Sequence, residues 1–135
     1  MDCPKCGAEM ELLTYSGVEI DRCTGCGGIW LDAVEPERLR AIAGSERIDT
    51  GSAQRGAQMN EIDEVDCPRC HVAMLRRAGP GGLELDSCPR CQGTYFDAGE
   101  FRSFKAVSLD ELLRSLRGVG RLPEVEGNNS RGWAQ

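Results

Sequence analysis

The sequence predicts a small, metal-stabilised, β-rich protein built from two consecutive four-cysteine units. The chain of 135 residues contains eight cysteines, and all of them fall in four Cys-x-x-Cys pairs. Sixteen residues separate the first two pairs and seventeen the last two, which matches the spacing of four-thiolate zinc sites. Each unit spans about 35 to 40 residues, too few to bury a sufficient apolar core without a metal.

The cysteine pairs predict two metal sites with four thiolate ligands each. The first site would use Cys3, Cys6, Cys23 and Cys26, and the second would use Cys67, Cys70, Cys88 and Cys91. Four thiolates fill a tetrahedral coordination sphere, which is typical of structural zinc and leaves no open position for catalysis. We therefore expect two Zn²⁺ ions, each contributing about 10–16 kcal/mol to folding.

Other uses of the cysteines stay open. Disulfides would suit a secreted protein, but no leader segment is evident and the spacing is regular, so we expect a reducing, cytoplasmic location. A rubredoxin-like iron site uses similar cysteine turns. A thiol redox or zinc sensor is a minor alternative, because the βαβ pattern around thioredoxin-like motifs is absent. No apolar run has the length of a membrane span, so we expect no membrane association.

The two units align as an internal repeat with one inserted residue. Segments 2–6, 17–21 and 28–33 match segments 66–70, 82–86 and 93–98. A repeat that preserves the neighbours of the cysteines argues against a chance spacing.

Each unit predicts three strands around its cysteine pairs. In the first unit, Met10–Tyr15 and Val18–Cys23 flank a Ser-Gly turn, as in a hairpin. The aromatic-centred segment Ile29–Leu31 suits a strand packed over the metal site. The second unit repeats this pattern, with its turn at 79–82 and its third strand at Thr94–Phe96.

Three short helices are predicted after the strands. The second unit ends on Asp97 and Glu100, spaced as in a capping box, and the first unit ends on the same pattern. Capping explains these carboxylates without a catalytic role. Pro36 suits the first position of the first helix. Leucines at helical spacing predict an amphipathic helix over 108–117.

The predicted organisation has five parts. These are a first unit with its helix at 1–44, a polar linker at 45–65, a second unit with its helix at 66–107, the amphipathic helix at 108–117 and a disordered tail at 118–135. The linker leads us to expect independent modules, so that Cys23→Ser would unfold the first unit and leave the second folded.

The residues around the cysteines resemble the transcription-factor-IIB-type zinc-ribbon domain of small, mostly bacterial proteins. The resemblance rests on segments 3–7, 17–21 and 23–32, and the second unit is similar as a divergent copy. It implies two tandem zinc ribbons of three strands each, with short C-terminal helices and zinc on all eight cysteines. His71 replaces a glycine that often takes positive φ in this family, so we expect strain there.

The expected function is a non-catalytic zinc-binding adaptor that recognises a protein partner, and family analogy points to the transcription machinery for that partner. No nucleophile–base pair or phosphate loop is present, so we expect no catalytic or organic-cofactor-binding residues. The formal net charge of −6 disfavours general nucleic-acid binding. A nucleic-acid-binding second ribbon remains the alternative, through Arg69, Arg76, Arg77 and Arg90.

Overall fold

The computed structural model describes residues 1–106, of which residues 1–105 form one compact unit. The predicted amphipathic helix at 108–117 and the predicted tail at 118–135 lie outside the described residues. Within residues 1–106, no helix has the length and apolarity that crossing a bilayer requires.

Six antiparallel strands form a single sheet. The strands are β1 (Met10–Tyr15), β2 (Val18–Cys23), β3 (Ile29–Leu31), β4 (Leu75–Ala78), β5 (Glu84–Ser87) and β6 (Thr94–Phe96). Their order across the sheet is β1-β2-β3-β6-β5-β4. The prediction of a β-rich fold with three strands in each ribbon is therefore confirmed, and the hairpins form where alternating apolar residues flank turn residues.

The two ribbons are joined through the central strands β3 and β6. The register pairs Ile29 with Phe96, Trp30 with Tyr95 and Leu31 with Thr94. Trp30 and Tyr95 are equivalent positions of the repeat, so the pairing is symmetrical about these two residues. The third strand of each ribbon completes its hydrogen bonding on the third strand of the other, so the ribbons are halves of one sheet. This arrangement differs from the expectation of independent modules.

Residues 45–65, expected to be a polar linker, contain ordered elements. A 3₁₀ helix spans Ser45–Ile48, and helix α2 spans Ala53–Met59. Three apolar side chains of this segment, Ile48, Met59 and Val65, are buried, whereas Ile62 is exposed. The segment also caps a helix of the second ribbon: Asp49 accepts hydrogen bonds from the backbone nitrogens of Gly99 and Arg102 at 2.9 and 3.0 Å.

The remaining helical elements follow the predicted signals closely. Helix α1 spans Glu35–Arg40 and begins one residue before Pro36. The helix after β6 begins at residue 100 and continues to residue 106, where the described residues end. A 3₁₀ segment, Pro80–Gly82, forms the turn of the second hairpin.

Two buried clusters form the core, and each draws on both ribbons. One cluster surrounds the sulfurs and contains Trp30, Tyr95, Met10 and Met74. The other contains the aliphatic side chains of β2 and β3, packed with Phe96, Phe101 and Phe104 of the second ribbon. The sulfurs therefore lie within one of two buried clusters, and both clusters join the ribbons.

Candidate metal centres

The structure brings the eight predicted cysteines together as two quartets. In each quartet the four sulfurs lie within 4.8 Å of one another. The Cys3–Cys26 and Cys67–Cys91 sulfur pairs are both 3.8 Å apart. A tetrahedron with Zn–S bonds of about 2.3 Å has edges of about 3.8 Å, so the quartets match zinc coordination. All eight cysteines are free of disulfide bonds.

Backbone amides stabilise the sulfurs in every cysteine pair. Cys3 Sγ accepts from the nitrogens of Lys5 and Cys6 at 3.4 and 3.5 Å. The first cysteine of each other pair accepts two equivalent bonds at 3.2–3.4 Å. Such bonds favour the thiolate form that binds zinc and fix its direction.

Positive φ angles close the cysteine turns. Gly7 and Gly27 have φ of 80° and 81°, which glycine adopts without strain. His71 and Gln92 occupy the same positions of the second ribbon, with φ of 60° and 67°. The expected strain at His71 is therefore confirmed, and Gln92 shares it.

Tyr95 of the second ribbon reaches the metal site of the first. Its hydroxyl oxygen lies 3.1 Å from Cys3 Sγ and 3.3 Å from Cys26 Sγ. Gly28 makes room for it, since a Cβ there would overlap the tyrosine hydroxyl. Burial raises the pKa of Tyr95, and so does the charge of the Cys3 thiolate. The phenol therefore stays protonated and donates a hydrogen bond to sulfur.

The thiols beneath Tyr95 interact strongly with each other. The hydrogen bond from Cys26 lowers the pKa of the Cys3 thiol to about 4, and the same contact raises the pKa of Cys26. Zinc requires deprotonated thiols, so a bound ion replaces the proton that this sulfur pair shares.

Trp30 of the first ribbon reaches the second ribbon in the same way. Its ring lies where a Cβ at Gly93 would be, two residues after Cys91. Its indole nitrogen donates to Asp32 Oδ1 at 3.2 Å. The sequence indicated that Trp30 and Tyr95 pack over cysteine turns, but it gave no sign that each packs against the last cysteine pair of the other ribbon.

A buried ion pair links the first cysteine turn to the second ribbon. Lys5 Nζ lies 2.9 Å from Asp97 Oδ2 and 3.0 Å from Asp86 Oδ2, and all three side chains are at most 1% exposed. Lys5 also donates to the Met59 carbonyl at 3.1 Å. Its contact with Asp86 has an ion-pair distance without hydrogen-bond geometry. This cluster is absent from the sequence-based expectation.

Arg69 makes the equivalent link from the second ribbon to the first. Its Nε lies 2.7 Å from Asp32 Oδ1, and its NH2 group lies 3.2 Å from Asp21 Oδ2. This side chain is 42% exposed, so solvent screens the pair. The only signal in the sequence was that a basic residue and two aspartates recur at matching positions of the repeat.

The capping glutamates behave as predicted, whereas the aspartates do not. Glu35 and Glu100 accept hydrogen bonds from the backbone nitrogens of Asp32 and Asp97, both at 2.8 Å. Those bonds are the glutamate half of a capping box. The carboxylates of Asp32 and Asp97 instead bind the opposite ribbon, so capping explains only part of this pattern.

Glu100 belongs to the same buried acidic cluster as Asp97. Burial, and then the charge of Asp97, raise the pKa of Glu100 to about 8. Burial also raises the pKa of Asp97, against the effect of Lys5. The Asn60 amide, oriented to satisfy its hydrogen bonds, donates to Glu100 Oε2 and Asp97 Oδ2 at 3.1 Å each.

We expect Glu100 to make stability depend on pH. Its folded pKa of about 8 lies above an unfolded value of about 4.3, so folding takes up a proton between these values. The contribution of Glu100 to stability is present at low pH and is lost as pH rises to about 8. Relative to Glu100→Gln, the wild type should therefore lose free energy of unfolding between about pH 5 and 8.

Denaturant unfolding of both proteins at a fixed excess of free zinc measures this difference. Zinc binding itself strengthens as thiols deprotonate, but that effect is common to both proteins and cancels. Glu61→Gln, at an exposed position, controls for a change of charge. Parallel pH profiles for the wild type and Glu100→Gln would contradict the prediction.

Comparison with known proteins identifies the pattern around the two quartets. A protein family described as transcription factor zinc-finger matches residues 2–41 and 66–107, which together make up more than half of the chain. No curated protein and no solved structure matches this sequence significantly.

Proposed function

Because the chain belongs to this family as two tandem TFIIB-type zinc ribbons, we propose that it is a non-catalytic zinc-binding adaptor that recognises a protein partner. The observation that carries the proposal is a cleft of about 660 Å³ between the first cysteine turns of the two ribbons. Zinc acts in this proposal by holding both turns rigid, since each tetrahedral site uses all four of its ligands on protein sulfur.

The cleft combines negative charge with a small apolar surface. Its acidic lining residues are Asp2, Glu64 and Asp66. Pro4 and Pro68 of the two cysteine turns also line it. Each zinc-loaded tetrathiolate site adds two further negative charges beside it. A segment that presents lysine or arginine with flanking apolar groups fits this chemistry, because the long stems of these side chains pack on apolar surface while their charges meet carboxylates.

The internal ion pairs favour a protein partner over nucleic acid. The alternative function needed the arginines of the second ribbon to contact phosphates. Arg69 is bound to Asp21 and Asp32, and Arg76 donates to Asp86 Oδ1 at 3.2 Å and to the Asn60 carbonyl at 2.9 Å. Arg77 and Arg90 are exposed, which leaves two of the four residues on which that alternative relied. A partner in the transcription machinery is the expectation from family analogy.

Charge-neutralising variants of the cleft test the proposal. The triple variant Asp2→Asn, Glu64→Gln, Asp66→Asn removes three charges from the cleft, and the control variant Glu9→Gln, Glu19→Gln, Glu61→Gln removes three exposed charges elsewhere. Full-length zinc-loaded proteins are used to capture proteins from nuclease-treated extract, and affinities are then measured with the purified captured protein. We expect the cleft variant to bind at least about tenfold more weakly and the control to bind normally.

Three results would contradict the adaptor proposal. One is an equal loss of affinity in both variants, and another is unchanged affinity in the cleft variant. The third is capture that disappears on nuclease treatment, which would support nucleic-acid binding instead. Binding that weakens moderately with salt while surviving nuclease treatment is expected for a charged protein interface.

A further inference from the structure

We propose that the two four-cysteine sites differ in how readily they exchange their metal ion. The second quartet is an exchangeable site for soft divalent cations, whereas the Tyr95 hydroxyl slows exchange at the first. The difference lies in the residues around the sulfurs and does not depend on any partner. The repeat would otherwise make the two sites equivalent.

The first quartet has an additional hydrogen-bond donor. The Tyr95 hydroxyl lies within 3.3 Å of both Cys3 Sγ and Cys26 Sγ. A phenol is protonated at neutral pH, so it donates to a thiolate. The bond withdraws charge from sulfur and makes it a weaker nucleophile toward an incoming proton or metal ion. Tyr95 also covers the site, and Cys26 is only 3% exposed.

The second quartet lacks this donor. Trp30 occupies the equivalent position, and its one polar hydrogen is directed to Asp32 Oδ1 at 3.2 Å. Within residues 1–106, no side-chain hydroxyl contacts a sulfur of this quartet. Cys91, the counterpart of Cys26, is partly exposed. Backbone amides cannot account for a difference, because the first cysteine of every pair accepts two of them.

These differences lead to different exchange behaviour. Exchange begins when an incoming cation shares a bound thiolate, so it requires an accessible sulfur with available charge. The equivalent residues Cys6 and Cys70 are both partly exposed, so the difference between the quartets lies at the fourth cysteine. Cys91 is partly exposed and has no hydroxyl donor, whereas Cys26 is buried under the Tyr95 ring and shares its hydrogen bond. A thiophilic cation such as Cd²⁺ should therefore replace zinc at the second quartet first.

Metal exchange followed by NMR tests this order. ¹¹³Cd²⁺ is added to the full-length zinc-loaded protein, and the cadmium signal of each site is assigned through coupling to its cysteine Hβ protons. We expect cadmium to appear first at the second quartet. Losing such a supporting contact usually weakens metal affinity by about 10–100-fold, so Tyr95→Phe, which removes only the hydroxyl, should accelerate exchange at the first quartet by up to about that factor.

The second quartet provides an internal control in the same spectra. If Tyr95→Phe merely loosened the shared sheet, exchange would accelerate at both sites, whereas the proposal requires an unchanged rate at the second. Tyr15→Phe removes a hydroxyl that donates to the Ala43 carbonyl, and its ring packs against the buried cluster that contains no sulfur, so it should change neither rate. Equal exchange rates in the wild type, or faster exchange at the first quartet, would overturn the proposal without reference to any variant.

Discussion

Replacement of Cys23 with serine should disorder both zinc ribbons, not the first alone. The substitution removes one thiolate from a site that contributes about 10–16 kcal/mol to folding, which is as large as the whole stability of a typical domain. The second ribbon would then lose three sets of contacts: the pairing of β6 with β3, the hydrogen bonds of Tyr95 to the first quartet, and the packing of Phe96 on the first ribbon.

An amide NMR spectrum and the zinc content per chain measure this result. We expect Cys23→Ser to lose dispersed signals from both ribbons, and Cys88→Ser to give the same result from the other side. Thr24→Ser is a suitable control, because it keeps the hydroxyl that donates to the Glu9 carbonyl at an exposed position next to Cys23. A folded second ribbon that retains one zinc ion in Cys23→Ser would show that the ribbons are independent modules after all.

Replacement of Lys5 with methionine should destabilise the protein far more than the same change at the equivalent Arg69. The Lys5 side chain is fully buried between Asp86 and Asp97, so its removal leaves Asp97 beside Glu100 without a cation and Asp86 with Arg76 as its remaining partner. Removing one partner of a buried pair costs about 3–5 kcal/mol. The Arg69 side chain is 42% exposed, and breaking a screened pair costs about 0–1 kcal/mol.

Denaturant unfolding at a fixed free-zinc concentration compares the two variants, since zinc binding contributes to the measured stability. Asp97→Asn in the Lys5→Met background should recover part of the loss, because it removes one uncompensated charge while keeping the shape of the side chain. Similar losses for Lys5→Met and Arg69→Met would mean that burial does not set the strength of these links.

The contrast between Lys5 and Arg69 shows how far the repeat predicts the structure. The two residues occupy the same position in their cysteine turns, and both pair with two aspartates of the opposite ribbon. The sequence therefore identified equivalent residues. It did not indicate that one pair is buried and the other exposed, because burial depends on neighbours from residues 45–65 such as Met59, whose carbonyl also accepts from Lys5.

The sequence by itself determined the two zinc sites, the three strands of each ribbon and the glutamate half of each helix cap. These features are local: cysteine pairs, hairpins and caps form between residues about 3–20 positions apart, where spacing and residue type set the geometry. Only the tertiary structure decided that β3 pairs with β6 and that Tyr95 and Trp30 each pack on the opposite ribbon. Lys5 and Asp97 are 92 residues apart, and contacts of this kind depend on how two folded surfaces fit in shape and charge, which no local pattern encodes.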